Sequence, residues 1–242
     1  MKWRKWLGRI LAAALALCLC GGGVVAGLGW RMYRQALADR SLEEALEEIR
    51  SQPRYTRLED LTEIYLEAVV AVEDRRFYSH PGFDLLAMGR ALWNDLRAWS
   101  FVEGGSTITQ QLARNLYFTQ EKSPVRKAAE IMMALRLEQM CSKEDILELY
   151  LNSIYFGAGC YCVYDASMTY FGVEPGEMDA SQATLLAGIP NAPSVYAPTE
   201  NPELARQRQG QVLDRMVECG FLTREEADAL VWQPASPSNG EG

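Results

Sequence analysis

The chain has 242 residues, of which 48% are apolar and 23% are charged, a length and composition that suit one catalytic-sized domain. It carries 24 Lys and Arg against 32 Asp and Glu, and four of the basic residues lie within the first nine positions. The remainder is therefore strongly acidic, which argues against non-specific nucleic-acid binding, and we expect no nucleic-acid partner.

The N-terminus has the pattern of a membrane anchor. Residues 1–9 form a basic tail, and residues 10–30 form an uncharged run long enough to span a bilayer as a helix. The alternative is a cleaved signal peptide, because Gly21 to Gly23 offers small residues for cleavage. The apolar run continues to Trp30, a residue typical of the membrane interface, which favours a retained signal anchor. The positive-inside rule then predicts a single-pass cell-membrane protein, with residues 1–9 in the cytoplasm and the rest of the chain after the anchor on the extracytoplasmic side.

Helical patterns follow the anchor. Residues 31–56 are polar and helix-prone, with several exposed glutamates, and we interpret them as a stalk or linker. Apolar residues then recur at helical spacing from Leu58 to Val72, so this helix delivers Glu73 at its C-terminal end. Asp84 is predicted to cap a helix whose apolar stripe comprises Leu85, Met88, Leu92 and Leu96.

The segment from Trp93 to Phe118 is rich in aromatic residues, including Trp99 and Tyr117. A well-filled core would account for them. The alternative is a surface that rests on the membrane, because Trp and Tyr favour the level of the lipid headgroups. The sequence leaves both interpretations open.

The remaining helices are predicted from their start and stop signals. Thr107 and Gln110 have capping-box spacing, and the backbone amides at such a helix start attract anions. Similar signals predict helices at 124–140, 143–151, 179–188 and 202–219 and from residue 223. Because no alternating strand pattern occurs, we predict a mainly α domain over residues 57–232, followed by a disordered tail over 233–242.

Two glutamates are candidates for catalysis. Glu73 lies at a predicted helix C-terminus, where the helix dipole raises the pKa of a carboxyl group and the two arginines that follow act in the opposite direction. Glu130 lies inside a helix beside Arg126 and Lys127. Paired carboxylates in different environments are what glycosidic chemistry uses.

Cations recur near the polar loops of this otherwise acidic chain. Singly, each is explained as an ion-pair partner of the excess acids. Together, and flanking a Gly-Gly-Ser-Thr helix start, they suit a phosphate-bearing ligand. They are Arg90, Arg114, Arg126, Lys127 and Lys143.

The histidine and the cysteines are predicted to be structural. His80, the single histidine, lies in a tight turn before Pro81, and we predict a hydrogen-bonding role for it. One histidine cannot form a histidine-based zinc site, and we predict no metal ligands in the chain. The cysteines beyond the anchor lack metal-ligand spacing and are predicted to be free thiols, with a disulfide between Cys141 and Cys219 left open.

Five segments in order, over about residues 58–198, resemble the motifs of the peptidoglycan glycosyltransferases, family 51 of the glycosyltransferases. Members of this family occur alone or as the N-terminal half of class A penicillin-binding proteins. Two positions depart from the family pattern, since Arg114 stands where lysine is common and Cys162 where glycine is usual. The segments are Glu73-Asp-x-x-Phe-x-x-His-x-Gly, Gly105-Ser-Thr-Ile-Thr-Gln-Gln, Arg126-Lys-x-x-Glu, Lys143-x-x-Ile-Leu-Glu-x-Tyr-Leu-Asn and Leu185-Leu-Ala-Gly-x-Pro-x-Ala-Pro-Ser.

The resemblance implies a lysozyme-like helical fold with a membrane-associated jaw, preceded by one transmembrane helix. It also implies that lipid II is polymerised, with inversion, into β-1,4-linked glycan strands with release of undecaprenyl diphosphate. Glu73 would be the general base, and Glu130 would assist at the donor diphosphate. The residues implied to bind substrate are Asp74, Arg90, Ser106, Thr107, Gln110, Gln111, Arg114, Arg126, Lys127, Lys143 and Asn152.

The resemblance further implies what stabilises the leaving group and which partners the protein binds. Positioned cations, or Mg²⁺ or another divalent cation, would stabilise the diphosphate, and no organic cofactor is implied. The partners would be lipid II, the growing glycan, the membrane and cell-wall synthesis proteins. No Ser-x-x-Lys or Lys-Thr-Gly occurs, so we expect no transpeptidase. The rival hypotheses are a muramidase or lytic transglycosylase, and an inactive membrane-anchored scaffold.

Overall fold

The computed structural model describes residues 2–98, 105–119, 121 and 123–233. Within these residues the chain forms helices, loops and one isolated antiparallel bridge between Gly157 and Cys160, which confirms the prediction of a mainly α fold. The α-helices are α1 (Lys2–Asp39), α2 (Leu42–Arg50), α3 (Glu63–Glu73), α4 (Leu85–Ala98), α5 (Ile108–Tyr117), α6 (Pro124–Met140), α7 (Lys143–Leu151), α8 (Val163–Phe171), α9 (Ala180–Gly188), α10 (Pro193–Tyr196), α11 (Pro202–Cys219) and α12 (Arg224–Ala229). The predicted tail from 234 onward lies outside the described residues.

The N-terminal helix α1 contains the candidate membrane span of the described residues, Trp6–Asp39, which is long and apolar enough to cross a bilayer. The helix does not end at Trp30, where the apolar run stops, but continues into the segment predicted to be a stalk. Its last turns pack against α6, and Tyr33, Ala36 and Leu37 contact the core. The anchor is thus a continuous helix that joins the catalytic domain directly.

The contact between α1 and α6 is close because Gly29 has no side chain. A Cβ atom at this position would lie 2.6 Å from the Cβ of Ala128 and 3.1 Å from the carbonyl oxygen of Val125. Small residues allow helix backbones to approach in this way. Any larger residue at position 29 would push α1 and α6 apart.

Helix α2 corrects the prediction of a stalk. Ser41 caps it in a capping box with Glu44, and its glutamates are exposed as expected. Its other face is buried in the core, at the i, i+3, i+4 and i+7 positions of one helical stripe. The glutamates led to the prediction of a stalk, but the apolar stripe determines how α2 packs. The residues of this stripe are Leu42, Ala45, Leu46 and Ile49.

The core of the domain lies where α3 packs against α9 and α11, and where α5 packs against α6 and α7. Large side chains such as Tyr65, Phe77, Leu112 and Tyr150 are fully buried there. Burial of a large apolar side chain contributes about 1.5–3 kcal/mol, so this packing holds the ends of α3, α5 and α11 in fixed positions. Those three ends form the walls of the cavity described below.

The predicted helix starts are confirmed at several positions. Thr107 and Gln110 form a capping box at the start of α5, and Thr223 and Glu226 form another at α12. The bounds of α7, α9 and α11 also agree with the sequence signals. At α6, Pro124 occupies the first turn as predicted, although the side chain of Ser123 makes no capping hydrogen bond.

The described residues of the aromatic region and of α4 lie in two environments. Leu85, Leu86 and Trp93 on α4 are exposed, whereas Tyr117 and Phe118 pack against the core. Leu85 is therefore not part of a buried stripe. The side chains of Leu92 and Leu96, and Trp99 as a whole, lie outside what the structure describes. Contact between α4 and a membrane stays a prediction.

The cysteines are free thiols, as predicted. Cys160 and Cys162 are buried, and Cys141 and Cys219 are half-buried. Cys162, which stands where the family motif usually has glycine, serves as the N-cap of α8 and accepts a hydrogen bond from the backbone amide of Asp165 at 3.5 Å. The departure at this position therefore has a local structural role.

Candidate active site

A cavity of about 690 Å³ opens between the C-terminal end of α3, helix α5, the 190–196 segment and α11. A smaller one of about 100 Å³ adjoins it and shares Glu73 and Ser106. The larger cavity is lined by charged and polar side chains, which suits a hydrophilic ligand. Those used below are Glu73, Ser106, Gln111, Arg114 and Arg208.

Glu73 stands at the end of α3, facing both cavities. Its Oε2 accepts a hydrogen bond of 2.7 Å from Nε2 of Gln111, while its Oε1 has no hydrogen-bond partner among the described residues. Burial raises the pKa of Glu73, and the Gln111 hydrogen bond together with Arg208 and Arg114 acts to lower it. The sequence suggested the helix dipole and the two following arginines as opposing influences, whereas desolvation is the main cause of the raised pKa.

The arginines after Glu73 act differently from the prediction. Arg76 binds Asp84 through two of its nitrogens, and this pairing lowers the pKa of Asp84 to about 2. The ion pair between Arg76 and Asp84 therefore fixes the turn between α3 and α4. The cations that act on Glu73 come instead from α5 and α11.

His80 makes structural hydrogen bonds beside the end of α3, as the sequence predicted. Its Nδ1 accepts a hydrogen bond from the backbone amide of Gly82 at 3.2 Å, so Nε2 carries the proton that is donated to Asp74 at 2.8 Å. Asp74 also accepts a hydrogen bond from the backbone amide of Ile108, at the start of α5. Asp74 thus ties the end of α3 to the start of α5.

The capping residues of α5 are structural as well. Thr107 donates a hydrogen bond of 2.7 Å to the carbonyl oxygen of Gly82, which adopts a φ of +91° that favours glycine. Gln110 is fully buried, and its Oε1 accepts hydrogen bonds from the backbone amide of Thr107 and from Nζ of Lys127. Thr107 lines the smaller cavity, whereas Gln110 lines neither.

Glu130 lies deeper than Glu73 and lines neither cavity. It is fully buried, 3.0 Å from Nη1 of Arg126 and 3.5 Å from Nζ of Lys127. The same Lys127 ammonium donates to Oγ of Ser106 at 2.8 Å, and Ser106 does face the cavities. Glu130 therefore reaches the site through Lys127, and burial lowers the pKa of Lys127.

The other predicted cations are distributed unevenly. Arg114 lines the larger cavity one helical turn after Gln111, and exposed Arg90 lines the smaller one. Arg126 donates to the carbonyl oxygen of Thr119 and faces Glu130.

Two predicted substrate ligands have structural partners instead. Lys143 is bound to Glu138 at 2.7 Å, with its ammonium 4.4 Å from the ring centre of Phe77. Asn152 is fully buried and exchanges hydrogen bonds with the backbone of Thr56. Neither lines the two cavities, and the role of both as substrate ligands stays a prediction. The fourth motif, in which they lie, joins the domain together.

Sequence reasoning missed Arg208. This residue projects from α11 into the larger cavity, lies 5.8 Å from the ring centre of Tyr196, and lowers the pKa of Glu73. Its Nε donates to the carbonyl oxygen of Gly188, where the absence of a side chain lets the two helices meet. Arg208 follows the last motif, and its helical position alone does not reveal what it faces.

Among the described residues, no group of three or more His, Cys, Asp or Glu side chains could hold a metal ion. The larger cavity is lined by the carboxylates of Glu73, Asp214 and Glu218 and by guanidinium, amide and hydroxyl groups, but its carboxylates do not form such a group. The described residues therefore offer no protein-only site for Mg²⁺, which needs several oxygen ligands close together. A divalent cation at this site would depend on oxygens of a bound diphosphate.

Comparison with known proteins places the chain in a family. A family model described as Transglycosylase matches residues 41–217. A protein of Cupriavidus necator named as a candidate transglycosylase is 38% identical over 220 residues, which cover 91% of this chain and 94% of that protein.

Larger relatives match over part of their length. Penicillin-binding protein 1F of Bacillus subtilis is 45% identical over 66% of this chain and 22% of that protein. Penicillin-binding protein 1A of Aquifex aeolicus is 44% identical over 74% of this chain and 25% of that protein. The chain thus matches about a quarter of the length of these two proteins. The family model and the Cupriavidus relative cover most of the sequence, and the chain belongs to the transglycosylase family, the family 51 glycosyltransferases that its motifs resemble.

Proposed function

We propose that this protein is a peptidoglycan glycosyltransferase that polymerises lipid II into β-1,4-linked glycan and releases undecaprenyl diphosphate. The observation that carries the proposal is the geometry at Glu73. One carboxylate oxygen is held by Gln111, the other is buried without a hydrogen-bond partner among the described residues, and the side chain lines a cavity that Arg114 and Arg208 also line. A general base needs such an oxygen and a pKa close to the working pH.

In the proposed reaction, the 4-hydroxyl of the acceptor sugar binds at Oε1 of Glu73. This oxygen takes the hydroxyl proton while the acceptor oxygen attacks the anomeric carbon of the donor. The bond from that carbon to the diphosphate breaks on the opposite face, so the configuration inverts. In this reaction Glu73 acts only as a base. Proton removal by a positioned base contributes about 10²–10⁴-fold in rate.

The leaving diphosphate faces the cationic side of the site. Ser106, bound to Lys127, and Arg114 supply a hydroxyl and a guanidinium at the cavity, and Arg90 is exposed at its smaller neighbour. Preorganised donors of this kind stabilise charge that develops in the transition state. A divalent cation bound to the diphosphate would add positive charge beside these residues.

The direct test is polymerisation of fluorescently labelled lipid II by the full chain in detergent, read as high-molecular-weight glycan on a gel. Parallel reactions with EDTA and with added Mg²⁺ measure the metal requirement. A third reaction with finished glycan distinguishes the rival enzyme, since cleavage without polymer formation would identify a muramidase or lytic transglycosylase. Absence of both activities would support the scaffold hypothesis.

The localisation that we propose follows from α1. A helix of this length and composition supports anchoring in the cell membrane. By the positive-inside rule, the basic tail supports a topology with residues 1–9 in the cytoplasm and the cavity on the extracytoplasmic side, near a substrate held in the same bilayer. Protease digestion of spheroplasts checks the sidedness, because only an extracytoplasmic domain is cut while the membrane is intact. Cell-wall synthesis proteins are the further partners that we propose.

A further inference from the structure

Tyr150 lies directly behind the proposed base. It belongs to α7, is fully buried, and donates a hydrogen bond of 3.3 Å from its hydroxyl to Oε1 of Gln111. The other end of the same amide, Nε2, donates to Oε2 of Glu73 at 2.7 Å. The phenol, the amide and the carboxylate therefore form one chain of hydrogen bonds from the core to the cavity.

The hydrogen bonds at the two ends of the Gln111 amide determine which end faces Glu73. A primary amide has an acceptor end and a donor end, and rotation by a half-turn exchanges them. When the Tyr150 hydroxyl donates to Oε1, the NH₂ group of Gln111 points at the carboxylate. The reverse orientation would place the amide oxygen against Oε2 of Glu73, which is favourable only if that carboxyl group is protonated.

We infer that Tyr150 is a positioning residue that fixes the orientation of Gln111, and that Gln111 in turn holds Oε2 of Glu73 so that Oε1 is presented to the acceptor hydroxyl. Tyr150 does not touch the substrate in this arrangement. The inference rests on the proposed role of Glu73 as the base. It assigns a function to a core tyrosine of the fourth motif, whose other polar residues serve the scaffold.

Several groups face Glu73 from the elements around it. Gln111 and Arg114 approach from α5, Arg208 from α11 and Tyr150 from α7, and Asp74 follows in the chain. The Gln111 hydrogen bond lowers the pKa of Glu73, against the effect of burial. If the tyrosine hydroxyl is removed, Oε1 of the amide loses its partner and only the contact with Glu73 orients the amide. This hydrogen bond then weakens, and the pKa of Glu73 rises.

Tyr65 provides a matched control. It is also a fully buried tyrosine, on α3, and its hydroxyl has no hydrogen-bond partner among the described residues. Tyr65→Phe and Tyr150→Phe remove the same atom from the same core. A general effect of losing a buried hydroxyl would appear in both variants, whereas an effect on the amide orientation would appear only in Tyr150→Phe.

The first experiment titrates Glu73 directly. The full chain is labelled with ¹³C at the glutamate side-chain carboxyl carbon, and the Glu73 signal is assigned with Glu73→Gln in detergent micelles. We expect the pKa of Glu73 to be higher in Tyr150→Phe than in the wild type and in Tyr65→Phe. Equal values in all three proteins would overturn the inference, whatever reaction the protein catalyses.

The second experiment measures lipid II polymerisation against pH. We expect the acidic limb of the profile to move to higher pH in Tyr150→Phe and kcat at neutral pH to fall about tenfold, while Tyr65→Phe follows the wild type. Gln111→Ala should move the acidic limb to the same extent. The double variant with Tyr150→Phe should move it no further than Gln111→Ala alone. An unmoved limb in an active Tyr150→Phe enzyme contradicts the inference, whereas an inactive wild type contradicts the proposed function.

Discussion

The two glutamates of the site occupy opposite environments. Glu73 has one carboxylate oxygen without a partner among the described residues, at the edge of a cavity of about 690 Å³. Glu130 is fully buried between Arg126 and Lys127 and lines neither described cavity. The difference teaches that the two carboxylates cannot share a role, since of the two only Glu73 lines a described cavity that a substrate could enter.

The two environments also belong to different sets of helices. The Glu73 side is built by α3, α5, α7 and α11, and its charge is set by burial, Gln111, Arg208 and Arg114. The Glu130 side is built by α6, which α1 covers from outside. Glu130 is the counter-ion that Arg126 and Lys127 share, and it holds Lys127 where it can donate to Ser106. Substitutions on one side should therefore change a different property from substitutions on the other.

The largest effect on activity is expected for Glu73→Gln. Glutamine keeps the shape and the contact with Gln111 but cannot take a proton, so the polymerisation rate should fall about 10²–10⁴-fold. Burial raises the pKa of Glu73, so the folded state binds more protons than the unfolded state between the two pKa values, and wild-type stability falls as pH rises there. The Tm of Glu73→Gln, followed by circular dichroism, should equal or exceed that of the wild type at neutral pH. Unchanged turnover would refute the assignment of the base.

Glu130→Gln should instead destabilise the protein. It leaves buried Arg126 and half-buried Lys127 without their counter-charge, and removal of one partner from a buried ion pair costs about 3–5 kcal/mol. For a chain of this size the Tm should fall by roughly 10 °C, and activity should fall with the displacement of Lys127. Glu203→Gln, which removes the exposed partner of Arg206, is the control and should leave Tm within about 1–2 °C. A Glu130→Gln protein with wild-type Tm would contradict the role as a counter-ion.

The sequence predicted the Glu73 side better than its surroundings. Glu73, Ser106, Gln111 and Arg114 come from two motifs with strong helix signals, and the structure brings all four to one cavity. Helix ends are locally encoded, because a cap, a proline or a glycine fixes them within a few residues. The contacts across the site are not encoded locally, because they depend on packing between segments far apart in the chain.

Lys143 and Arg208 illustrate that limit. Lys143 carries the charge of a phosphate ligand and lies in a motif, but Glu138 and Phe77 hold it away from the described cavities. Arg208 lies in no motif, yet α11 brings it beside Glu73 because Gly188 permits a close approach. Helical spacing shows which residues share a face, but it does not show what that face meets.

Arg208→Gln should change the Glu73 side alone. Because Arg208 lowers the pKa of Glu73, its loss should move the acidic limb of the pH–rate profile to higher pH, and turnover at neutral pH should fall about tenfold. Arg206→Gln is a matched control on the same helix, since Arg206 is paired with Glu203 at the surface. A limb that moves equally in both variants would show that general surface charge, rather than the cavity position of Arg208, sets the base.

Gly29→Leu should act on the Glu130 side alone, with the smallest effect of the series. The added side chain would meet Ala128 and Val125 and force α1 away from α6, which costs about 1–3 kcal/mol for overpacking. We expect a lower Tm and a few-fold lower rate, with the acidic limb of the pH profile unmoved because Glu73 is not touched. Gly27→Leu is the control on the same helix, since no atom outside the local helix lies within 4 Å of a Cβ there. If both variants lose the same activity, the defect lies in how α1 sits in the bilayer; if only Gly29→Leu does, the anchor helix also supports the helix that carries Lys127 and Glu130.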